Sequence, residues 1–308
     1  GESHEYARGI SAGEVIKNVH GRKSGAVAAF VNGEERDMSF ALDEDCKIEP
    51  ILGDSDEGLY ILRHSCAHLL AQAVTQLYPD AKPTIGPPIE HGFYYDFAMD
   101  PIGDEELRQI EKRMKDLVKQ NIPIEREELD NESLRETFSS NPFKLEIMDE
   151  KIGHDVGSSA YRQGDFMDLC RGPHVSLTSQ LRWFKLTSTS QAYWRADKDR
   201  ESLVRIYGMC YPSKDGLKER ERQIQEAARR DHKKIGKEMG LYMINELIGK
   251  GLPVWLPYGE VLKSEIENFA IETEEAYGYD RVTTPVLGKK ELFETSGHLP
   301  HYAEGMYP

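Results

Sequence analysis

Leu59-Tyr-Ile-Leu-Arg-His64-Ser-Cys-Ala-His68-Leu-Leu-Ala-Gln-Ala-Val-Thr-Gln-Leu-Tyr78 carries apolar residues at helical spacing. Leu62, Cys66, Leu69, Leu70, Ala73, Val74 and Leu77 recur every three or four positions and Pro79 stops the pattern, which predicts a helix over this stretch. Two histidines four apart put both imidazoles on one face of that helix, one turn apart. Upstream, the spacing predicts a helix at about Ala12 to His20. Gly25-Ala-Val-Ala-Ala-Phe-Val-Asn-Gly33 reads as a strand closed by an Asn-Gly turn, with another strand near Cys46 to Leu52. The polar, Gly-bounded run Gly53 to Gly58 marks a boundary. Downstream, residues 85 to 97 read as loop and strand around Phe93, Tyr94 and Tyr95. Asp104 to Asn121 and Asp130 to Ser139 read as helices, and Lys144 to Tyr211 as strand-like text with glycine turns. Ser213 to Gly240 is one long helical stretch. Glu260 to Tyr277 follows as an amphipathic helix, and Tyr279-Asp-Arg-Val-Thr-Thr-Pro-Val-Leu287 as a strand leaving on a proline.

These elements make an α+β, multidomain chain, and 308 residues accommodate two or three domains. The segments are 1–53, 54–212, 213–242 and 243–308, and no internal repeat is visible. Hydrophobic residues at 39%, charged residues at 30% and a mean hydropathy of -0.61 argue against collagenous, low-complexity and membrane classes. No run approaches the roughly 20 apolar residues that span a bilayer, and no signal segment opens the chain, so a cytoplasmic protein without a membrane partner is expected. A net charge of -15 excludes attraction to nucleic acid over the whole surface, so any such contact must be local. Cys46, Cys66, Cys170 and Cys210 are too few and scattered for a disulfide scaffold, and reduced thiols are expected.

Chemistry concentrates in two spacings. His64 and His68 lie on the helix, and Cys170-Arg-Gly-Pro-His174 repeats the interval in a loop after a strand. Neutral imidazole and thiolate both suit zinc. The same groups could activate water without a metal, because histidine titrates near neutrality. No Glu follows His64, so the metalloprotease pattern is absent. Asp168 precedes Cys170 by two and shares its strand face if the strand persists. Taken singly, an i,i+4 histidine pair or one aspartate is as readily structural.

At these residues a resemblance becomes specific. His64-Ser-Cys-Ala-His68, Gly86-Pro-Pro with Gly92-Phe-Tyr-Tyr-Asp96, Asp168-Leu-Cys170-Arg-Gly-Pro-His174 and Ala192-Tyr-Trp-Arg195 together resemble the second N-terminal domain of the bacterial-type threonyl-tRNA synthetase family. Residues 1–53 are similar to its ubiquitin-like (β-grasp) TGS domain without the first strand. Glu226-Ala-Ala-Arg-Arg-Asp-His232-Lys-Lys-Ile-Gly resembles the linker helix, and Gly278-Tyr-Asp-Arg-Val-Thr-Thr-Pro285 resembles class II motif 1, placing the start of an antiparallel-sheet catalytic domain in 243–308.

The resemblance implies an editing domain that hydrolyses serine from mischarged threonine tRNA. His64, His68, Cys170 and His174 are its catalytic constellation, with Asp168 and Lys144 as polar support and Tyr95 as a substrate-binding wall. It implies no metal in this site, whereas the ligand types alone suit zinc at His64, His68, Cys170 and His174. ATP, magnesium and zinc serve the full-length enzyme at sites beyond residue 308, so this chain reads as a piece of a homodimeric synthetase that does not itself aminoacylate. Arg229, Arg230, Lys233, Lys234 and Lys237 are the expected tRNA contacts. Two other readings are an alanyl-tRNA editing-type zinc hydrolase and a tRNA-binding module without catalysis.

Overall fold

The computed structural model describes residues 3–21, 24–151 and 159–305. The chain forms two compact units, residues 1–223 and 224–308. The first begins with β1 (Ile10–Ser11), α1 (Ala12–His20), β2 (Ala26–Val31), β3 (Glu34–Arg36), β4 (Ala41–Leu42) and β5 (Ile48–Leu52). Helix α1 starts at a capping box, Ser11 accepting the Glu14 N–H while Glu14 reaches back to the Ser11 N–H. Asn32 and Gly33 both take positive φ, which the tight β2–β3 turn requires, and β3-β2-β5 form a small sheet.

Helix α2 (Asp56–Leu77) is buried nearly all round, as expected for an apolar helix inside a core. It packs against the sheet β12-β13-β8-β6, built from β6 (Lys82–Pro83), β8 (Gly92–Ala98), β12 (Trp183–Tyr193) and β13 (Ser202–Tyr211), with β7 (Pro88–Ile89) paired to β8. Leu62, Leu69, Leu70 and Val74 share one core with Phe93, Phe97 and Ile206 of the sheet. Ile110, Met114 and Leu117 of α3 (Asp104–Gln120) and Val27, Ala28 and Ile51 of the N-terminal sheet join it. Each of the larger side chains among these contributes about 1.5–3 kcal/mol by burial. The segment 53–58 is therefore a packed junction, where a Cβ on Gly58 would meet the Leu52 carbonyl oxygen at 1.8 Å.

A second sheet, β11-β10-β9, uses β9 (Ile124–Glu128), β10 (Ser159–Gln163) and β11 (Phe166–Leu169). Between β9 and β10 lie α4 (Asn131–Thr137) and α5 (Pro142–Lys151). Helix α5 corrects the strand-like expectation from Lys144 onward. Asn141 accepts the N–H groups of Phe143 and Lys144, and Pro142 occupies the first turn, so local capping starts a helix here. Residues 152–158 of that stretch lie outside the described residues.

The second unit shows two further corrections. The expected single linker helix is α6 (Lys214–Arg229, entering from the first unit) and α7 (His232–Glu238), because Asp231 takes up the N–H groups of Lys233 and Lys234 as a new N-cap. After β14 (Tyr242–Ile244), β15 (Pro253–Trp255) and α8 (Pro257–Ala276), residues 279–287 form no strand. A strand needs a neighbour to pair with, and among the described residues none lies alongside; Val282, Val286 and Leu287 are exposed. Two short helices follow, α9 (Lys290–Thr295) and α10 (His298–His301). Among the described residues no helix is long and apolar enough to cross a membrane.

Candidate functional site

The core that buries α2 also forces its polar residues inward. Ser65 and His68 are 0% and 4% exposed, and His64 is partly buried. Facing them is the loop that leaves β11, where Cys170 lies just past the strand end. Ser159 fixes that loop: its carbonyl accepts the Cys170 N–H at 3.1 Å, and its hydroxyl donates to the Cys170 carbonyl at 2.6 Å. Gly172 takes φ +71°, and a Cβ there would meet the Tyr161 hydroxyl at 1.8 Å, so glycine is required by both conformation and space.

Cys170 Sγ lies 3.3 Å from His64 Nε2 and 3.2 Å from His174 Nε2, and accepts the Gly172 N–H at 3.3 Å. The His64 and His68 rings are 5.3 Å apart, and the His174 ring is within 4.4 Å of both. The ligand-capable atoms of His64, His68, Cys170 and His174 lie within 4.8 Å of one another, so these four could hold a metal ion. The two four-residue spacings thus converge in space.

Beside them is a charged pair. Lys144, 3% exposed on α5, is ion-paired with Asp168 on β11, itself 1% exposed. The Tyr95 hydroxyl donates to Asp168 Oδ2 at 2.5 Å and accepts from Lys144 Nζ at 3.1 Å. Tyr95 is 1% exposed, so its polar end is occupied in holding Asp168. Lys144 is accordingly a buried lysine. His68 Nε2 is 3.7 Å from Asp168 Oδ2.

Burial depresses the histidines. His64 is pushed down to about 3 by burial and the neighbouring His68, and His68 to about 4 by burial, against the pull of Asp168. Burial also carries His174 well below its ordinary value. The Cys170 thiol is pushed up to about 12, chiefly by burial. For Asp168 burial acts upward, but Lys144, His68 and the Tyr95 hydroxyl together hold the carboxyl below its ordinary value. At neutral pH the site therefore presents three neutral imidazoles, a thiol and one lysine–carboxylate pair. That set can take a proton from water and position a polar substrate.

Residues with no role assigned from the sequence complete the site. Asp37, in the turn between β3 and β4, accepts the backbone N–H of His174 at 2.9 Å and the Tyr161 hydroxyl at 2.7 Å. The Tyr161 ring stands edge-on to His174 at 4.4 Å. Ser65 touches His174 Nδ1. Asp37 lies 137 positions from His174, and no local pattern signals it. Ser65 was legible in part, between two histidines on a buried face. Arg229, Arg230, Lys233, Lys234 and Lys237 lie in the second unit, where Arg229 and Arg230 are paired with Glu226.

Residues 159–207, which include Asp168, Cys170 and His174, match the family model described as the threonyl and alanyl tRNA synthetase second additional domain. The whole chain is 45% identical over 310 residues to a threonine–tRNA ligase of Staphylococcus carnosus and 44% identical over 312 to threonine–tRNA ligase 1 of Bacillus subtilis. A threonine–tRNA ligase of Staphylococcus aureus is 43% identical over 310 residues. In each case 100% of this chain aligns with 48% of the relative, so the chain spans about half the length of the curated relatives it matches. Over its whole length the chain is thus a homologue of the N-terminal half of the bacterial threonine–tRNA ligases, and it carries the second additional domain shared by threonyl- and alanyl-tRNA synthetases.

Proposed function

We propose that residues 54–212 hydrolyse the ester of serine mischarged on threonine tRNA, within a cytoplasmic, homodimeric synthetase that attaches threonine to tRNA using ATP. The observation that carries the reading is the convergence of His64, His68, Cys170 and His174 on one buried spot beside the Lys144–Asp168 pair. Hydrolysis needs a placed water, a base and a donor for the developing oxyanion. The neutral imidazoles are suited to be the base, Lys144 to be the donor, and Asp168 to hold the serine ammonium. Cys170, as a thiol, is not needed as a nucleophile.

Editing has a physical rationale. Serine and threonine differ by one methyl, which a binding pocket discriminates by only about 1–3 kcal/mol, so a second sieve that excludes the methyl by steric clash adds what binding lacks. Tyr95 serves that sieve from behind, by fixing Asp168.

The donor types suit zinc, but their outer hydrogen bonds do not fit it. A metal-bound imidazole normally donates its other N–H to a carboxylate or carbonyl. His64 Nδ1 has no partner among the described residues, and His174 Nδ1 faces a hydroxyl rather than a carboxylate or carbonyl. We therefore assign hydrolysis to the side chains themselves. The TGS-like character of 1–53, the linker at 213–242 and the class II start at 243–308 belong to the same proposal, as do ATP, magnesium and zinc at sites outside this chain.

The test is deacylation of seryl- and threonyl-tRNA by this chain, with and without a chelator. Selective, chelator-insensitive loss of serine supports the proposal. Chelator-sensitive turnover would favour a zinc hydrolase, and protection of the ester without turnover a binding module.

A further inference from the structure

We infer that Ser65 is a positioning residue: its hydroxyl fixes neutral His174 as the tautomer protonated on Nε2 and so sets the direction of a hydrogen-bond chain through Cys170 to His64. The tautomer follows from the hydrogen-bond geometry around a buried, neutral ring, and its catalytic consequence rests on the hydrolytic reading above. Ser65 is fully buried on α2. Its Oγ accepts the Val175 N–H at 3.1 Å and lies 3.0 Å from His174 Nδ1. Among the described residues His174 Nδ1 is the one acceptor within reach of the hydroxyl hydrogen. Leaving that buried donor unused would cost about 1–3 kcal/mol. A neutral imidazole that accepts at Nδ1 carries its proton on Nε2.

The chain continues from there. The His174 Nε2–H points at Cys170 Sγ, 3.2 Å away, and the Gly172 N–H points at the same sulfur. With two donors directed at it, the sulfur has His64 Nε2, at 3.3 Å, as the acceptor for its own hydrogen. His64 then carries its proton on Nδ1; that buried nitrogen has no partner among the described residues in either tautomer, so the acceptor needed by the sulfur's hydrogen decides between them. Both Nε2 atoms facing Cys170 are thereby committed, one as donor and one as acceptor. The His68 ring has no part in this hydrogen-bond chain; its Nε2 lies 3.7 Å from Asp168 Oδ2, and it is left as the base.

Long-range proton–nitrogen correlation spectra of the histidine rings in the nitrogen-15-labelled chain, at neutral pH, test this directly. The expected result is His174 protonated on Nε2 and His64 on Nδ1. In Ser65→Ala the His174 ring should lose its single tautomer, and kcat for seryl-tRNA deacylation should fall on the order of tenfold with KM unchanged, as for one lost hydrogen bond. Ser65→Thr, which keeps the hydroxyl, should restore both. Wild-type His174 protonated on Nδ1 would overturn the assignment whether or not the variants fold, and so would ring resonances unchanged in Ser65→Ala. The stated tautomers in a chain that does not hydrolyse seryl-tRNA would support the role of Ser65 and overturn the hydrolytic reading.

Discussion

Neutral histidines at ordinary pH are a consequence of burial, and they tie activity and stability to the same window. His68→Ala or His174→Ala should lower seryl-tRNA deacylation on the order of a hundredfold or more; wild-type rates in both would remove them from the mechanism. With His68 held at about 4, the base stays available well below the ordinary range of a histidine. Deacylation should hold level from neutral pH downward and fall as pH approaches about 4. In the unfolded chain the same rings titrate near 6.5, so between those values the unfolded state binds more protons than the folded one. Stability contributed by the neutral rings is complete above about 6.5 and is lost as pH falls through the folded values. Denaturant titrations at several pH values check this, and stability that rises on acidification would contradict it. At the same scale, Asp168→Asn keeps the shape and removes the charge that Lys144 and the serine ammonium face, so it should lower serine turnover without admitting threonine.

Among the elements, α5 has the most direct link to the site, because it carries Lys144 inward. Its start is held by Asn141 and its outer face by Trp194, which packs edge-on to Phe143 and donates to Glu146 at 3.0 Å, while Arg200 grips the same carboxylate. Asn141→Ala should cost about 1 kcal/mol by loss of the cap and lower deacylation through Lys144, whereas Lys185→Ala, on the exposed face of β12 and paired with Glu221, should not affect deacylation. The α6–α7 segment is the other element with a testable role. Neutralising Lys233 and Lys234 should weaken tRNA binding and flatten its salt slope by roughly one to two units. An unchanged slope would make the segment a solvated spacer.

At the scale of the molecule, the N-terminal sheet shares its core with α2 and lends Asp37 to the loop that carries His174. Asp37→Ala leaves a buried N–H and the Tyr161 hydroxyl without an acceptor, at about 1–3 kcal/mol. It should reduce deacylation although residue 37 lies outside the editing segment, and Asp37→Asn, which keeps an acceptor oxygen, should recover part of it. Full activity in Asp37→Ala would show that the loop holds its shape without the N-terminal segment.

Much of this was legible in the chain itself. The buried helix, the two four-residue spacings and Asp168 could be read directly, because apolar periodicity and residue type are local properties of a sequence. The start of α5 was locally encoded as well, in Asn141-Pro142, although the text after it reads as strand. The sequence alone also determined that any nucleic-acid contact must be confined to a patch, since net charge does not depend on folding. Tertiary structure alone decided that Lys144 is buried against Asp168, that Tyr95 stands behind that pair and that Asp37 reaches His174. It also decided which nitrogen of each imidazole faces which neighbour. These are contacts between residues tens to more than a hundred positions apart, and their protonation and orientation follow from the burial that packing imposes, which no local pattern contains.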